Sequence, residues 1–221
     1  MAMKTAIVIP AYNEAGTIGR VVGSVKPFGL PIVVDDQSTD ESGRLAVEAG
    51  ADLVSHKRNK GYDGAIQSGF ERAAELGMDA VVTFDADGQH DPAVLAEVVQ
   101  ALESGRAELV IGVRPGAARF SEALFGLYAR LRFGVPDILC GLKGYRMRLY
   151  TEHGRFDGTG SVGTELPLAA LRKGERFETV RVPIHPRRGF SRFGAAFSAN
   201  CRILRALALG VWADIRGVRG R

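Results

Sequence analysis

Cysteine is scarce in this chain of 221 residues, with only Cys140 and Cys201, far apart and without metal-ligand spacing. That excludes a disulfide framework and a zinc module, suits a cytosolic protein, and leaves both thiols to be read as small buried hydrophobes. Long apolar runs are also missing: none reaches the roughly 18 residues of a membrane-spanning helix. The start, Met1-Ala2-Met3-Lys4, passes into a strand-like segment without the apolar stretch and small-residue cleavage site of a signal peptide. Internal repeats, low-complexity tracts and linkers are absent as well. A hydrophobic content of 46% is ample for a sizeable core, so the chain reads as one ordered domain with an amphipathic carboxyl-terminal extension.

The net charge of +4 hides a division along the chain. Residues 1–110 hold 9 Lys and Arg against 17 Asp and Glu, whereas residues 111–221 hold 20 against 8. An acidic first half suits a site that holds a cation, and a basic second half suits phosphate groups or an anionic membrane surface. Nucleic acid, the obvious rival partner, is disfavoured, because the basic residues are dispersed and neither a recognition helix nor an RNA-binding aromatic signature is found.

Strand and helix signals alternate through the first half, the pattern of an α/β fold with a mostly parallel sheet covered by helices. Strands are expected at 5–10, 31–34, 51–55, 80–84 and 108–113, and helices at 14–26, 62–76 and 92–103. Ser38 and Glu41 have the spacing of a capping box, which starts a helix running to Ala49 before Gly50 stops it. Beyond Arg114, residues 117–133 form an amphipathic basic helix with Phe120, Leu124, Leu127, Tyr128 and Leu131 at helical spacing, read as core-facing in preference to a membrane-surface role. Residues 138–150 suggest a strand or two, 165–172 a helix, 177–183 an edge strand, and 194–213 a last amphipathic helix.

Asp85 and Asp87 follow the apolar run 80–84 and precede Gly88-Gln89-His90-Asp91-Pro92. Both carboxylates therefore sit at the carboxyl end of a buried strand, where open α/β sheets bind ligands. Hard oxygen donors there suit Mg²⁺ or Mn²⁺ bridging a diphosphate. Asp91 and Pro92 already supply a helix cap and first turn, so the pair is not needed for capping. Pro10-Ala11-Tyr12-Asn13-Glu14 and Asp35-Asp36 close two earlier strands in the same way.

With Ile7-Val8-Ile9-Pro10-Ala11-Tyr12-Asn13-Glu14, Val33-Val34-Asp35-Asp36-Gln37-Ser38-Thr39-Asp40, Arg58-Asn59-Lys60-Gly61 and the stretch from Asp85 to Pro92 in this order, the sequence resembles family 2 glycosyltransferases of the GT-A, Rossmann-like fold. Within them it is most similar to the polyprenyl-phosphate glycosyltransferases, the group of dolichol-phosphate mannose synthase, because D-x-D is followed by Gly-Gln-His. The likeness continues through 137–141, 163–166 and 182–184 to 187–192. It implies a nucleotide-sugar-binding half at 1–113, an acceptor-binding half at 114–193 and the extension at 194–221. In the first half Pro10, Tyr12 and Glu14 match the first nucleotide-binding loop. Asp36 matches a base or ribose contact, with Val34 and Ala86 beside the nucleotide and Asp35 structural. Asp85, Asp87 and Gln89 match the metal set, Asp85 touching ribose or metal, with His90 behind them. Arg114 matches an arginine near the diphosphate.

For the acceptor, Arg187, Ser191 and Arg192 match an Arg-x-Gly-x-Ser-Lys-like motif, with Arg188 at a variable position and Arg192 in place of lysine. Asp137 either orients acceptor or sugar or caps a turn. Glu165 is a base only if the acceptor needs one, since a lipid phosphate is already ionised. The implied partners are a GDP- or UDP-linked sugar and a polyprenyl phosphate, and the implied reaction is an inverting displacement assisted by Mg²⁺ or Mn²⁺. The protein is then expected at the inner face of the cytoplasmic membrane, held peripherally or by a membrane-protein partner, because many relatives carry transmembrane helices and this chain has none. Rival readings are a glycan or other hydroxyl acceptor, a haloacid dehalogenase-type phosphatase built on Asp85-Ala86-Asp87-Gly88, and a non-catalytic nucleotide-sugar-binding protein.

Overall fold

A computed structural model describes residues 3–116, 119–183 and 196–219. The first half alternates β1 (Thr5–Ala11), α1 (Ile18–Val25), β2 (Leu30–Asp35), α2 (Ser42–Glu48), β3 (Asp52–Ser55), α3 (Gly61–Glu75), β4 (Ala80–Thr83), α4 (Val94–Glu103) and β5 (Leu109–Val113). The second half adds α5 (Phe120–Phe133), β6 (Lys143–Arg146), α6 (Met147–His153), α7 (Glu165–Arg172), β7 (Phe177–Arg181) and α8 (Ala196–Arg219). Seven strands make one sheet in the order β3-β2-β1-β4-β6-β5-β7. Only β6 runs antiparallel to its neighbours, β4 and β5; the other pairings are parallel.

From β1 the chain steps outward to β2 and β3, then returns to place β4 on the other side of β1. This reversal is the topological switch point at which such sheets open a crevice. Because β1, β2 and β4 are parallel, the loops after Ala11, Asp35 and Thr83 all emerge on one edge.

The central strands are buried on both faces, so they read as unbroken apolar runs. Side chains alternate: Ala6 and Val8 join one core layer with Ile66 and Phe70 of α3, while Ile7, Ile9 and Ala11 join another with Val22 of α1 and Leu95 of α4. Gly69 of α3 lies so close to β1 that a Cβ there would collide with the Val8 side chain. Phe70 stacks on Phe156 at 5.3 Å and meets Tyr145 edge-on at 5.4 Å. These rings tie α3 to the segment after α6, and truncating Phe70 to Ala should cost about 3–5 kcal/mol.

Several expectations need correction. Ser38 caps no helix: its hydroxyl accepts from the Asn13 amide, and α2 begins four residues later behind Glu41. Residues 14–17 form a turn before α1, because Glu14 is held by α2, its amide donating to Ser42 Oγ at 2.7 Å. Residues 147–150, expected as strand, open α6. Cys140 is buried but Cys201 is exposed on α8. On α5 the buried residues are Ser121, Glu122, Phe125 and Ala129, while Phe120, Leu124, Leu127 and Leu131 are exposed.

Candidate active site

The loops after β1 and β2 are stitched into one wall. Asn13, at φ 53°, donates its amide to Ser38 Oγ at 2.9 Å and accepts at Oδ1 from the Thr39 amide at 2.7 Å. Asp40 accepts from the Ala15 amide and the Ser42 amide and hydroxyl. Thr17 donates to Glu14 Oε2 at 3.1 Å, and Tyr12 stands exposed at the rim. The left-handed conformation of Asn13 turns the chain sharply and suits its residue type.

Asp36 is buried and engaged by the segment ahead of α3. Its Oδ1 accepts from His56 Nδ1 at 2.7 Å and the Lys60 amide at 2.8 Å, and Oδ2 accepts from the Gly61 amide at 2.7 Å. A carboxylate at a helix amino terminus satisfies orphan amides and complements the dipole. His56 continues to Ser68 Oγ at 2.9 Å. This Asp–His–Ser chain is buried throughout, so it orders the Arg58-Asn59-Lys60-Gly61 loop rather than presenting a nucleophile. Asp35 accepts from the Ser38 amide at 2.9 Å, the structural role expected of it.

After β4, Phe84 and Ala86 are buried while Asp85 is partly exposed. Gly88 at φ 70° closes the turn, with the Gln89 amide donating to Asp87 Oδ1 at 3.0 Å. Behind Asp85 lies buried His90, its Nε2 3.8 Å from Asp85 Oδ2 and its buried Nδ1 without a hydrogen-bond partner. Gly141 backs the same carboxylate: a Cβ there would meet Asp85 Oδ1 at 2.8 Å and Cγ at 2.9 Å. Among the described residues no three His, Cys, Asp or Glu side chains gather as a ready-made metal cage.

Beyond β5, Arg114 binds Asp137 through Nε at 2.7 Å and Nη2 at 2.9 Å, and Glu122 lies 3.5 Å away. Burial works against the charge of both partners, yet their mutual hydrogen bonds prevail: Arg114 is held above and Asp137 below its ordinary pKa. Pro10 and Val34 pair with each other one residue before the ends of β1 and β2. Lys143, which sequence reasoning did not single out, is buried and donates to the Cys140 carbonyl at 2.6 Å. Desolvation lowers its pKa, while Cys140, Asp137 and Asp85 oppose that effect. β6 reads Lys-Gly-Tyr-Arg, so no pattern in the sequence singled this lysine out.

Glu165 does not stand free. Its Oε1 is 3.2 Å from His153 Nε2 and accepts from Arg155 Nε at 2.6 Å, while Oε2 accepts from the Gly158 amide at 2.8 Å. Despite burial, these donors lower its pKa. The segment between holds Val162 at φ 56°, a conformation that a β-branched residue adopts only under constraint. The Val162 amide donates to Asp63 Oδ2 at 3.2 Å, and burial pushes the Asp63 carboxyl up to about 6. Arg187, Arg188, Ser191 and Arg192 lie outside the described residues.

The mostly parallel sheet, with acidic loops after β1, β2 and β4, has the GT-A fold of glycosyltransferases. Residues 6–159 match the family model for Glycosyl transferase family 2, and the chain belongs to that family. It is 33% identical over 212 residues to a polyprenol monophosphomannose synthase of Mycolicibacterium smegmatis, covering 82% of this chain and 76% of that one. Against an undecaprenyl-phosphate mannosyltransferase of Micrococcus luteus identity is 30%, covering 65% and 67%. A UDP-N-acetylglucosamine–dolichyl-phosphate N-acetylglucosaminyltransferase of Methanococcus voltae is 35% identical, but the match spans about half of each protein, 49% and 51%. Among solved structures, glucosyl-3-phosphoglycerate synthase of Mycobacterium tuberculosis with Mn²⁺, UDP and glucosyl-3-phosphoglycerate superposes with a TM-score of 0.76 at 21% identity, over 94% of this chain and 80% of that one. The shared fold is what this last likeness establishes.

Proposed function

We propose that this enzyme moves a sugar from a nucleoside diphosphate to a polyprenyl phosphate, inverting the anomeric carbon. The observation that carries the acceptor class is the engagement of both candidate bases, Glu165 by His153, Arg155 and Gly158, and Asp137 by Arg114. A hydroxyl acceptor needs a group that removes its proton; an ionised phosphate attacks without one. Names of relatives, which act on polyprenol, undecaprenyl and dolichyl phosphates, support the same class.

A divalent ion fits the loop after β4. Asp85 and Asp87 offer hard oxygens on a glycine-closed turn, and Gly141 leaves room for the Asp85 carboxylate. Among the described residues Asp85 and Asp87, with Gln89 beside them, would hold the ion, a small ligand set that suits Mg²⁺, which usually keeps several waters and binds substrate phosphates. When bound, Mg²⁺ or Mn²⁺ neutralises the departing diphosphate. The loops carrying Tyr12 and Glu14 hold the nucleotide, and the solved relatives bind UDP with Mn²⁺ or Mg²⁺. Asp36, with three donors on its carboxylate, fixes the 58–61 loop and keeps acceptor capacity for base or ribose. Arg114 lends the leaving group a fixed positive edge.

Thermal stabilisation by UDP, GDP and their sugar conjugates, with Mn²⁺, Mg²⁺ or chelator, tests the donor half. A metal-dependent shift for one base is expected. Absence of any shift from a folded sample would contradict the reading.

A further inference from the structure

Eight of the eleven large apolar side chains exposed among the described residues lie on α5 and α8, a concentration that chance scatter over the surface does not produce. On α5 they are Phe120 (81% exposed), Leu124, Leu127 and Leu131 (80%), spaced as one stripe opposite the buried Phe125 and Ala129. On α8, Leu204, Val211, Trp212 (51%) and Ile215 (50%) form a second stripe opposite the buried Ile203 and Ala206. The helices lie side by side and run the same way, since Ser121 donates to Asn200 and Tyr128 to Asp214. Each stripe lies opposite its helix's buried residues, and the two helices pack against each other, so the α5–α8 pair presents an exposed apolar face.

Its charged border is of one sign. The only acids of the two helices, Glu122 and Asp214, are turned inward: Glu122 lies between Arg114 and Arg119, and Asp214 accepts from Arg172 at 2.6 Å and Arg132 at 3.2 Å. Arg130, Arg132, Arg202, Arg205 and Arg216 remain exposed. Arg216 lies over the Trp212 ring at 3.6 Å. A second copy of the chain would set arginine against arginine. An anionic bilayer offers acyl chains to the stripes and phosphates to the guanidinium groups, which long arginine stems reach by snorkelling.

We infer that the α5–α8 face docks the protein on an anionic lipid surface. The face stands on its own observations; the orientation of the acceptor rests on the transferase reading above. A cavity of about 360 Å³ lined by Arg114, Asp137, Gly126, Pro136, Leu127 and Arg130 adjoins this face, because Leu127 belongs to both. Docking therefore brings a lipid-borne phosphate level with the Arg114 side of the site.

Trp212 is the single tryptophan, so its fluorescence reads the face directly. Full-length protein is mixed with vesicles of phosphatidylcholine alone or with phosphatidylglycerol. Co-sedimentation with the anionic vesicles, a blue shift, quenching by brominated acyl chains and weakening by salt are expected. Leu131→Glu and Phe120→Glu alter side chains four-fifths exposed and should each lower vesicle affinity by about tenfold or more. Protein left in the supernatant with unchanged emission would overturn the proposal, as would a blue shift that follows protein concentration without lipid. Stabilisation by nucleotide is measured on the same samples: nucleotide binding without vesicle binding refutes the face and leaves the transferase, and the reverse pattern refutes the transferase and leaves the face.

Discussion

Arg114 holds Asp137 with two parallel hydrogen bonds, Nε to Oδ2 at 2.7 Å and Nη2 to Oδ1 at 2.9 Å, so the cation beyond β5 is aimed before any ligand arrives. Lysine cannot reproduce that fork. Arg114→Lys should lower kcat by about tenfold to a hundredfold through the diphosphate contact. Asp137→Ala should cost about 3 kcal/mol by leaving the half-enclosed guanidinium unpaired. Steady-state kinetics and thermal melts separate the two effects: a lysine variant with unchanged kcat would remove Arg114 from the reaction.

The close approach of Asp85 to Gly141 gives a second test. Gly141→Ala places a methyl group against a carboxylate rather than against backbone, so the fold should survive while Asp85 swings away. The metal-dependent part of nucleotide binding should weaken about tenfold, roughly the loss of one charge-assisted contact. Calorimetry with and without Mn²⁺ checks this; equal metal dependence in both proteins would show that Asp85 does not serve the ion.

Asp63 makes stability depend on pH. The native carboxyl keeps its proton up to about pH 6, whereas the unfolded one releases it near about 4. The native state therefore binds more protons between those values, and this contribution to stability is lost as pH rises through 6. Asp63→Asn should gain up to about 2 kcal/mol relative to the parent above pH 7, shrinking to nothing near pH 4. Denaturant titrations across that range measure it; a constant difference would refute the buried-carboxyl account.

Glu165→Gln should weaken the segment 155–164 and lower the melting temperature, yet leave the shape of the kcat–pH profile intact, because the acceptor phosphate needs no base. Loss of an acidic limb in the variant would instead make Glu165 the base and favour a hydroxyl acceptor.

Much of this was legible in the residues. Unbroken apolar runs announced β1, β2 and β4, and the carboxylates at their ends pointed to the edge that carries the candidate site. The Ser38–Glu41 pattern misled because capping spacing is local, whereas Ser38 is claimed by Asn13 from another loop. Helix α5 misled for a related reason. Its apolar periodicity favoured Phe120, Leu124, Leu127 and Leu131 as the core face, but the helix buries the opposite side, Phe125 and Ala129 together with Ser121 and Glu122, which pair with Asn200, Arg114 and Arg119. Periodicity finds an apolar stripe without saying what covers it. The buried links Asp36–His56–Ser68 and Asp63–Val162 depend on tertiary contacts that no sequence spacing encodes.

The central claim is tested most directly by incubating the protein with polyprenyl phosphate and radiolabelled GDP-mannose, UDP-glucose or UDP-N-acetylglucosamine, then counting label in the organic phase. The account predicts transfer from one donor, abolished by chelator and by Asp87→Asn and restored by Mg²⁺ or Mn²⁺. Label confined to the aqueous phase with every donor, from protein that binds nucleotide and metal, would contradict the lipid-phosphate acceptor.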